Sequence, residues 1–252
     1  MFNKRHIVRT IAATVSILAL SFTAACGSGQ STASNSTDSD DITQQTYKPG
    51  KLTIATGQPA YEPWVMNDKP ESGEGYEAAV AYAVADKLGF KKSDVVWTRT
   101  AFDTAIAPGA KDWDFNIQQF GITDERKKAV DFSSSYYTDS QSVVVQKDSR
   151  FAHAPKVSEL KDATVGGMVG TLAYDYAKAN IKDDIQTFND DAALAQALDA
   201  GQIDALVTST VECVYMVQSE QVKDAKVLGR LPDSEDKSGM GIVLPKDSKL
   251  TA

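Results

Sequence analysis

The chain has 252 residues, 42% of them hydrophobic and 24% charged, with 26 basic and 34 acidic side chains and a formal net charge of −8. That balance excludes a disordered or collagen-like chain and allows one large domain or two small lobes. An acidic chain without a basic stripe repels nucleic acid, and two isolated histidines, His6 and His153, offer no metal-ligand spacing, so no nucleic acid, metal or other cofactor is expected.

The first 25 residues do not read as fold. Lys4, Arg5, His6 and Arg9 form a positive start, an apolar run follows from Ile11 to Leu20, and small residues lead into Cys26. This is the pattern of a secretory signal peptide, too short and broken for a transmembrane helix. Removing Lys4, Arg5 and Arg9 with it takes the net charge from −8 to −11. Thr23-Ala24-Ala25-Cys26-Gly27 resembles a lipobox, in which Cys26 becomes the diacylated N-terminus, although Thr23 stands where such boxes usually carry Leu, Val or Ile. The other reading is ordinary cleavage near Ala25, leaving a free thiol. Two acyl chains, at about 0.8 kcal/mol per buried methylene, would hold the protein on a membrane. Residues 26–46 are small and polar and read as the lipidated Cys and a disordered tether.

Strand and helix patterns then alternate. Leu52–Ala55 is a strand; Tyr76–Leu88 is a helix with Val80, Val84 and Leu88 at helical spacing and Gly89 closing it. Val95–Trp97 is a strand, Phe102–Ala107 a short helix stopped by Pro108-Gly109, and Phe115–Ile117 and Ser142–Val145 are strands. A second series follows: strand Val165–Met168, helix Thr171–Ala179, a helix capped by Asp190 or Asp191 and running to Leu198 before Gly201, strand Ile203–Val207, helix Val211–Ser219 and strand Gly241–Leu244. Two α/β series of similar size imply two lobes, with ligands bound between them at the carboxyl ends of strands. Beyond Cys26 only Cys213 remains; in its apolar run it reads as a buried structural thiol.

Gln119-Phe120-Gly121-Ile122-Thr123-Asp124-Glu125-Arg126 follows a strand, and Val130-Asp131-Phe132-Ser133-Ser134-Ser135-Tyr136-Tyr137 comes soon after. This resembles the family 3 extracellular solute-binding proteins, the polar amino-acid receptors of ABC importers. Gly75-Tyr76-Glu77, Phe102-Asp103, Gly170-Thr171, Gly201-Gln202-Ile203-Asp204-Ala205 and Gly241-Ile242-Val243-Leu244-Pro245 match in the same order, so the resemblance runs from about Leu52 to Asp247. It implies an α/β, two-lobed periplasmic-binding-protein-like fold of type II with a ligand cleft between lobes. Residues 47–141, continued by 236–252, would form lobe 1, and residues 142–235 lobe 2.

The resemblance also implies site residues. Arg126 would grip the ligand carboxylate, because a planar guanidinium offers paired donors and stays charged; without the motif it would read as a surface Arg paired with Asp124 or Glu125. Gln119 and Gly121 match ligand-contacting positions, with Gly121 where many relatives carry Ser or Thr; a turn glycine is its plainer reading. Tyr61 and Phe102 would wall the slot, or be ordinary core. Thr171 and Leu172 lie at a strand-to-helix turn whose amides can bind an anion, with Leu172 where relatives have a hydroxyl. Ser209 stands where relatives place the Asp that holds the ligand's α-ammonium. Glu77 is the first candidate to replace that charge, against a plain surface or cap carboxylate; the other way out is a ligand without a free α-ammonium, a carboxylic acid or a modified amino acid.

The implied function is an extracellular receptor, monomeric, delivering a small polar solute, an amino acid by the resemblance, to ABC permease subunits. It would be held by its lipid anchor at the outer face of the cytoplasmic membrane, or be periplasmic. The alternatives are a secreted dehydratase-like enzyme on the same fold, for which no acid–base pair or nucleophile–base arrangement stands out, and a sensor or binding module uncoupled from transport. Relatives continue past the equivalent of Ala252 with a helix packed on lobe 1, so the chain reads as a fragment, a truncated gene product or a divergent short form.

Overall fold

The computed structural model describes residues 41–153 and 156–251. The leader, Cys26 and most of the expected tether lie outside the described residues. Residues 41–46, expected as the tether's end, instead belong to the body: Asp41 caps a short 3-10 turn, Ile42–Gln44, and Thr46 is buried. Asp114 is the fastener, one carboxylate oxygen accepting the Tyr47 amide at 2.6 Å and the other the Thr53 amide at 2.6 Å.

In chain order the strands are β1 (Leu52–Thr56), β2 (Val95–Arg99), β3 (Phe115–Asn116), β4 (Val130–Tyr137), β5 (Gln141–Gln146), β6 (Val165–Met168), β7 (Gln186–Phe188), β8 (Ala205–Ser209), β9 (Ala225–Arg230) and β10 (Met240–Pro245). The α-helices are α1 (Tyr76–Lys87), α2 (Phe102–Ile106), α3 (Leu172–Asn180), α4 (Asp191–Asp199) and α5 (Thr210–Gln218). They form two five-stranded sheets, ordered β2-β1-β3-β10-β4 and β7-β6-β8-β5-β9. In each sheet one strand, β10 in the first and β5 in the second, runs against the other four. The fold is thus the two-lobed α/β architecture expected.

Burial explains the strands that were legible. β1 and β8 are buried along their whole length, as central strands covered on both faces should be. In the second sheet Val143, Val145, Val165 and Val207 pack with α3 on one face, while Val144 and Leu206 face Leu194, Leu198 and Met216 on the other. Strand alternation puts odd and even residues on opposite faces, so one apolar run serves two cores. β4, β7 and β9 were not read as strands: β4 carries three consecutive serines, β7 is short and polar, and β9 is partly exposed. β8 is displaced by two residues from the expected Ile203–Val207, because Ile203 packs into the core before the strand begins. Gly89, at φ +88°, and Gly201, at φ +67°, follow α1 and α4 in the left-handed backbone that suits glycine.

The chain passes between the sheets twice, from β4 to β5 and from β9 to β10. The two crossings are laced together: the Asp236 amide donates to the Asp139 carbonyl at 2.9 Å, and the Gln141 amide to the Ser234 hydroxyl at 3.0 Å. This pairing brings Asp139 and Asp236 to the space between the sheets.

Candidate ligand-binding cleft

A cleft lies between the sheets, at the carboxyl ends of their parallel strands, with about 640 Å³ of empty volume counting its open mouth. It lies in the place where open α/β sheets put a ligand site. Eight of the nine residues expected at a site line it: Tyr61, Phe102, Gln119, Gly121, Arg126, Thr171, Leu172 and Ser209.

Arg126 is set by the turn that carries it. The Thr123 hydroxyl accepts the Arg126 amide at 3.1 Å, and the side chain folds back into the cleft. Nη1 donates to the Gly121 carbonyl at 2.7 Å; Nη2 reaches across to the Gly170 carbonyl at 2.8 Å. The guanidinium lies 5.5 Å from the Phe102 ring centroid, and Phe102 rests on buried Phe120 at 4.6 Å. Asp124 and Glu125 are occupied by Lys127 and Lys128, so the surface-pair alternative for Arg126 does not hold. Burial lowers the pKa of Arg126, while Asp175 and Asp236 oppose that shift.

Gly121 is tightly enclosed. A Cβ there would stand 2.4 Å from the Leu172 Cδ1 and 2.9 Å from the Asp236 Oδ2. Leu172, where relatives carry a hydroxyl, therefore fills the space that a side chain at 121 would take. Thr171 spends its hydroxyl locally, donating to the Met168 carbonyl at 2.8 Å and accepting the Tyr174 amide at 3.2 Å as the cap of α3. Tyr61 joins the two halves, its hydroxyl accepting the Ala192 amide of α4 at 3.4 Å. A second bridge joins Glu62 to the Tyr215 hydroxyl.

Glu77 does not reach the cleft. It is fully buried, and its carboxylate accepts the Gln119 amide at 2.8 Å, the Gln119 side-chain amide and the Tyr136 hydroxyl. Burial pushes its pKa up to about 7. The expectation that Glu77 faces a ligand ammonium is corrected on this geometry: both of its oxygens are already engaged.

Carboxyls that were not anticipated line the cleft instead: Asp139, Asp191, Glu212 and Asp236. Thr208 Oγ1 lies 2.8 Å from Glu212 Oε2 and 3.3 Å from Asp191 Oδ1. A threonine hydroxyl has one proton, so it cannot donate to two ionised carboxylates at once; the second contact needs a protonated acid. The electrostatics agree. Burial pushes Asp191 up to about 6, and burial with the neighbouring Asp191 pushes Glu212 well above the carboxylate range. Burial also raises Asp139 and Asp236. Ser209 caps α5, accepting the Glu212 amide at 3.2 Å, and its hydroxyl also bonds Asp139. The signal for Glu212 was present: Ser209-Thr210-Val211-Glu212 is the Ser-x-x-Glu pattern of a helix start. Here the Glu side chain turns to Thr208 and the cleft. Asp139 and Asp236 had no such signal, since only the pairing of the crossings brings them in. Cys213, on the same helix, is buried and its thiol pKa is pushed up by burial, as a structural thiol. Among the described residues no cluster of His, Cys, Asp and Glu could hold a metal ion.

Residues 52–209 match the family model of the bacterial extracellular solute-binding proteins, family 3. The chain belongs to that family. It is 27% identical over 219 residues to the L-arginine-binding protein of Pseudomonas aeruginosa, covering 81% of this chain and 78% of that one. It is 31% identical over 225 residues to the glutamine-binding protein of Geobacillus stearothermophilus, covering 81% and 82%. A solved structure of an ancestral arginine-binding protein bound to arginine superposes with a TM-score of 0.66 at 30% identity, over 80% of this chain and 88% of that one. The relatives are named for binding, which favours a receptor over the enzyme alternative.

Proposed function

We propose that this receptor binds an L-α-amino acid with a cationic side chain and presents it to an ABC importer. The carrying observation is the pairing of charges across the cleft: one guanidinium, Arg126, against four carboxyls. Arg126 takes the α-carboxylate in a charge-assisted pair, using guanidinium protons beyond the two given to the Gly121 and Gly170 carbonyls. Asp191 and Glu212 take the α-ammonium that Ser209, a neutral residue, leaves without a counter-charge. Asp139 and Asp236 remain for a second positive charge, which a neutral amino acid lacks. Tyr61 and Phe102 wall the aliphatic stem. The names of the arginine-binding relatives support the same reading.

The bridges from Tyr61 to Ala192, Glu62 to Tyr215 and Arg126 to Gly170 span the cleft, so a ligand that favours them favours the closed shape a permease would read. Cys26 is the lipid attachment point on this reading, with the polar segment after it as a leash. A thermal-shift panel tests the ligand class: L-arginine, L-lysine and L-ornithine against L-glutamine, L-cystine and deaminated arginine. A ligand at a hundredfold excess over its Kd stabilises by about 2.7 kcal/mol. Stabilisation by L-glutamine but not by the basic amino acids would reject the cationic class. Conversion of any ligand to product would restore the enzyme alternative.

A further inference from the structure

Glu77 has no task in the cleft, yet it is a fully buried carboxyl with no basic partner among the described residues. Two of its three donors come from one residue, Gln119: the backbone amide binds one carboxylate oxygen at 2.8 Å and the side-chain amide binds the other. Gln119 has φ +51°, in the left-handed region disfavoured for any residue with a Cβ. Such a backbone persists only where its surroundings over-determine it. The carboxylate supplies that determination, gripping the residue from both its main chain and its side chain. Glu77 is itself fixed, in the first turn of α1, where its amide donates to the Trp64 carbonyl at 3.0 Å and the helix dipole favours an anion.

The consequence reaches the cleft within two residues. Gln118, Gln119 and Gly121 all line it, and the Gly121 carbonyl seats Arg126. A change of φ at 119 would swing that carbonyl and the guanidinium it holds. We infer that Glu77 is a positioning residue: its buried carboxyl locks Gln119 in the left-handed backbone that aims the 118–121 wall, and with it Arg126, into the cleft. The importance of that wall for a ligand rests on the function proposed above; the hold of Glu77 on Gln119 does not.

Two measurements on the mature chain separate those parts. The first is amide hydrogen exchange without ligand. Glu77→Gln keeps the shape but loses an acceptor, so the amide of Gln119 should exchange at least tenfold faster while Phe115–Ile117 stay protected. Tyr136→Phe removes the third donor, whose hydroxyl also bonds the Gln119 amide, and leaves both Glu77 bonds to Gln119, so exchange at Gln119 should rise less than in Glu77→Gln. The second is calorimetry with L-arginine. Glu77→Gln should weaken binding at least tenfold. In a Gln119→Gly background, where glycine adopts the left-handed backbone freely, the same change should cost less than threefold. If Glu77→Gln fails to fold, Glu77→Asp, too short to span both donors, carries the same measurements. Unchanged exchange at Gln119 in a folded variant, or an equal loss of affinity in both backgrounds, would overturn the positioning role. If the unmutated chain ignores L-arginine while Gln119 loses protection in Glu77→Gln, the ligand class fails and the positioning role stands.

Discussion

Binding of L-arginine should expel a proton from the Asp191–Thr208–Glu212 group, and its affinity should fall as the pH is lowered. The contacts of Thr208 require one carboxyl of the pair to be protonated, and a cationic group of the ligand replaces that proton. Asp191, at about 6, is ionised at pH 7 and mostly protonated at pH 5. The binding-competent fraction then drops roughly tenfold between those values, a loss of about 1.4 kcal/mol. Glu212, pushed higher by burial and by Asp191, extends the fall toward neutral pH. Other titratable groups face the pair: Asp190 beside Asp191, Asp139 beside Glu212, and Tyr61 from the opposite wall. Glu212 is neutral where Asp191 titrates, so Glu212→Gln should leave the Asp191 midpoint near 6, abolish the further fall toward neutral pH and weaken L-arginine roughly 10- to 100-fold at pH 8. Calorimetry in two buffers of different ionisation enthalpy counts the released protons, and Glu77→Gln serves as the control for the other group that titrates near neutrality. An affinity flat from pH 5 to 7, with no proton released, would refute the shared proton.

The other predictions concern the remaining parts of the cleft, the buried acid and the anchor. Arg126→Ala should weaken L-arginine by about 3–5 kcal/mol, and Arg126→Lys should recover only part of this, because an ammonium lacks the paired donors; a loss under about threefold for Ala would remove Arg126 from the site. Gly121→Ser should strain the closed cleft by about 1–3 kcal/mol against Leu172, and Leu172→Ser in the same chain should relieve it, as double-mutant calorimetry would show. Glu77 has a folded pKa raised to about 7 from 4.5, so the stability it adds is present below pH 4.5 and lost as pH rises through 7; urea melts should show about 3 kcal/mol of decline that Glu77→Gln abolishes. Cys26→Ser should release the protein from membranes or block its maturation, and unchanged retention in a membrane fraction would reject the anchor.

The sequence by itself determined the architecture and half of the cleft. Apolar runs such as Val143–Val145 and Val165–Met168 marked the central strands, and Gly89 and Gly201 marked helix ends, because burial and positive φ restrict residue type locally. The Gln119–Arg126 segment could be read as a unit because its residues are neighbours in the chain. Strands β4, β7 and β9 escaped notice because their pairing is secured by partners far away rather than by their own apolar character. Apart from the helix-start pattern that marks Glu212, the acidic wall was decided by tertiary structure. Asp139 and Asp236 meet the cleft only because the two crossings pair, and Asp191 and Glu212 meet only through Thr208 on a third element. Glu77 shows the same limit from the other side. Its charge and its place in the motif suggested a ligand contact, and only the depth of its burial, with Gln119 between it and the cleft, turned it into a support. A carboxyl's neighbours fix its protonation and its task, and those neighbours come from distant parts of the chain.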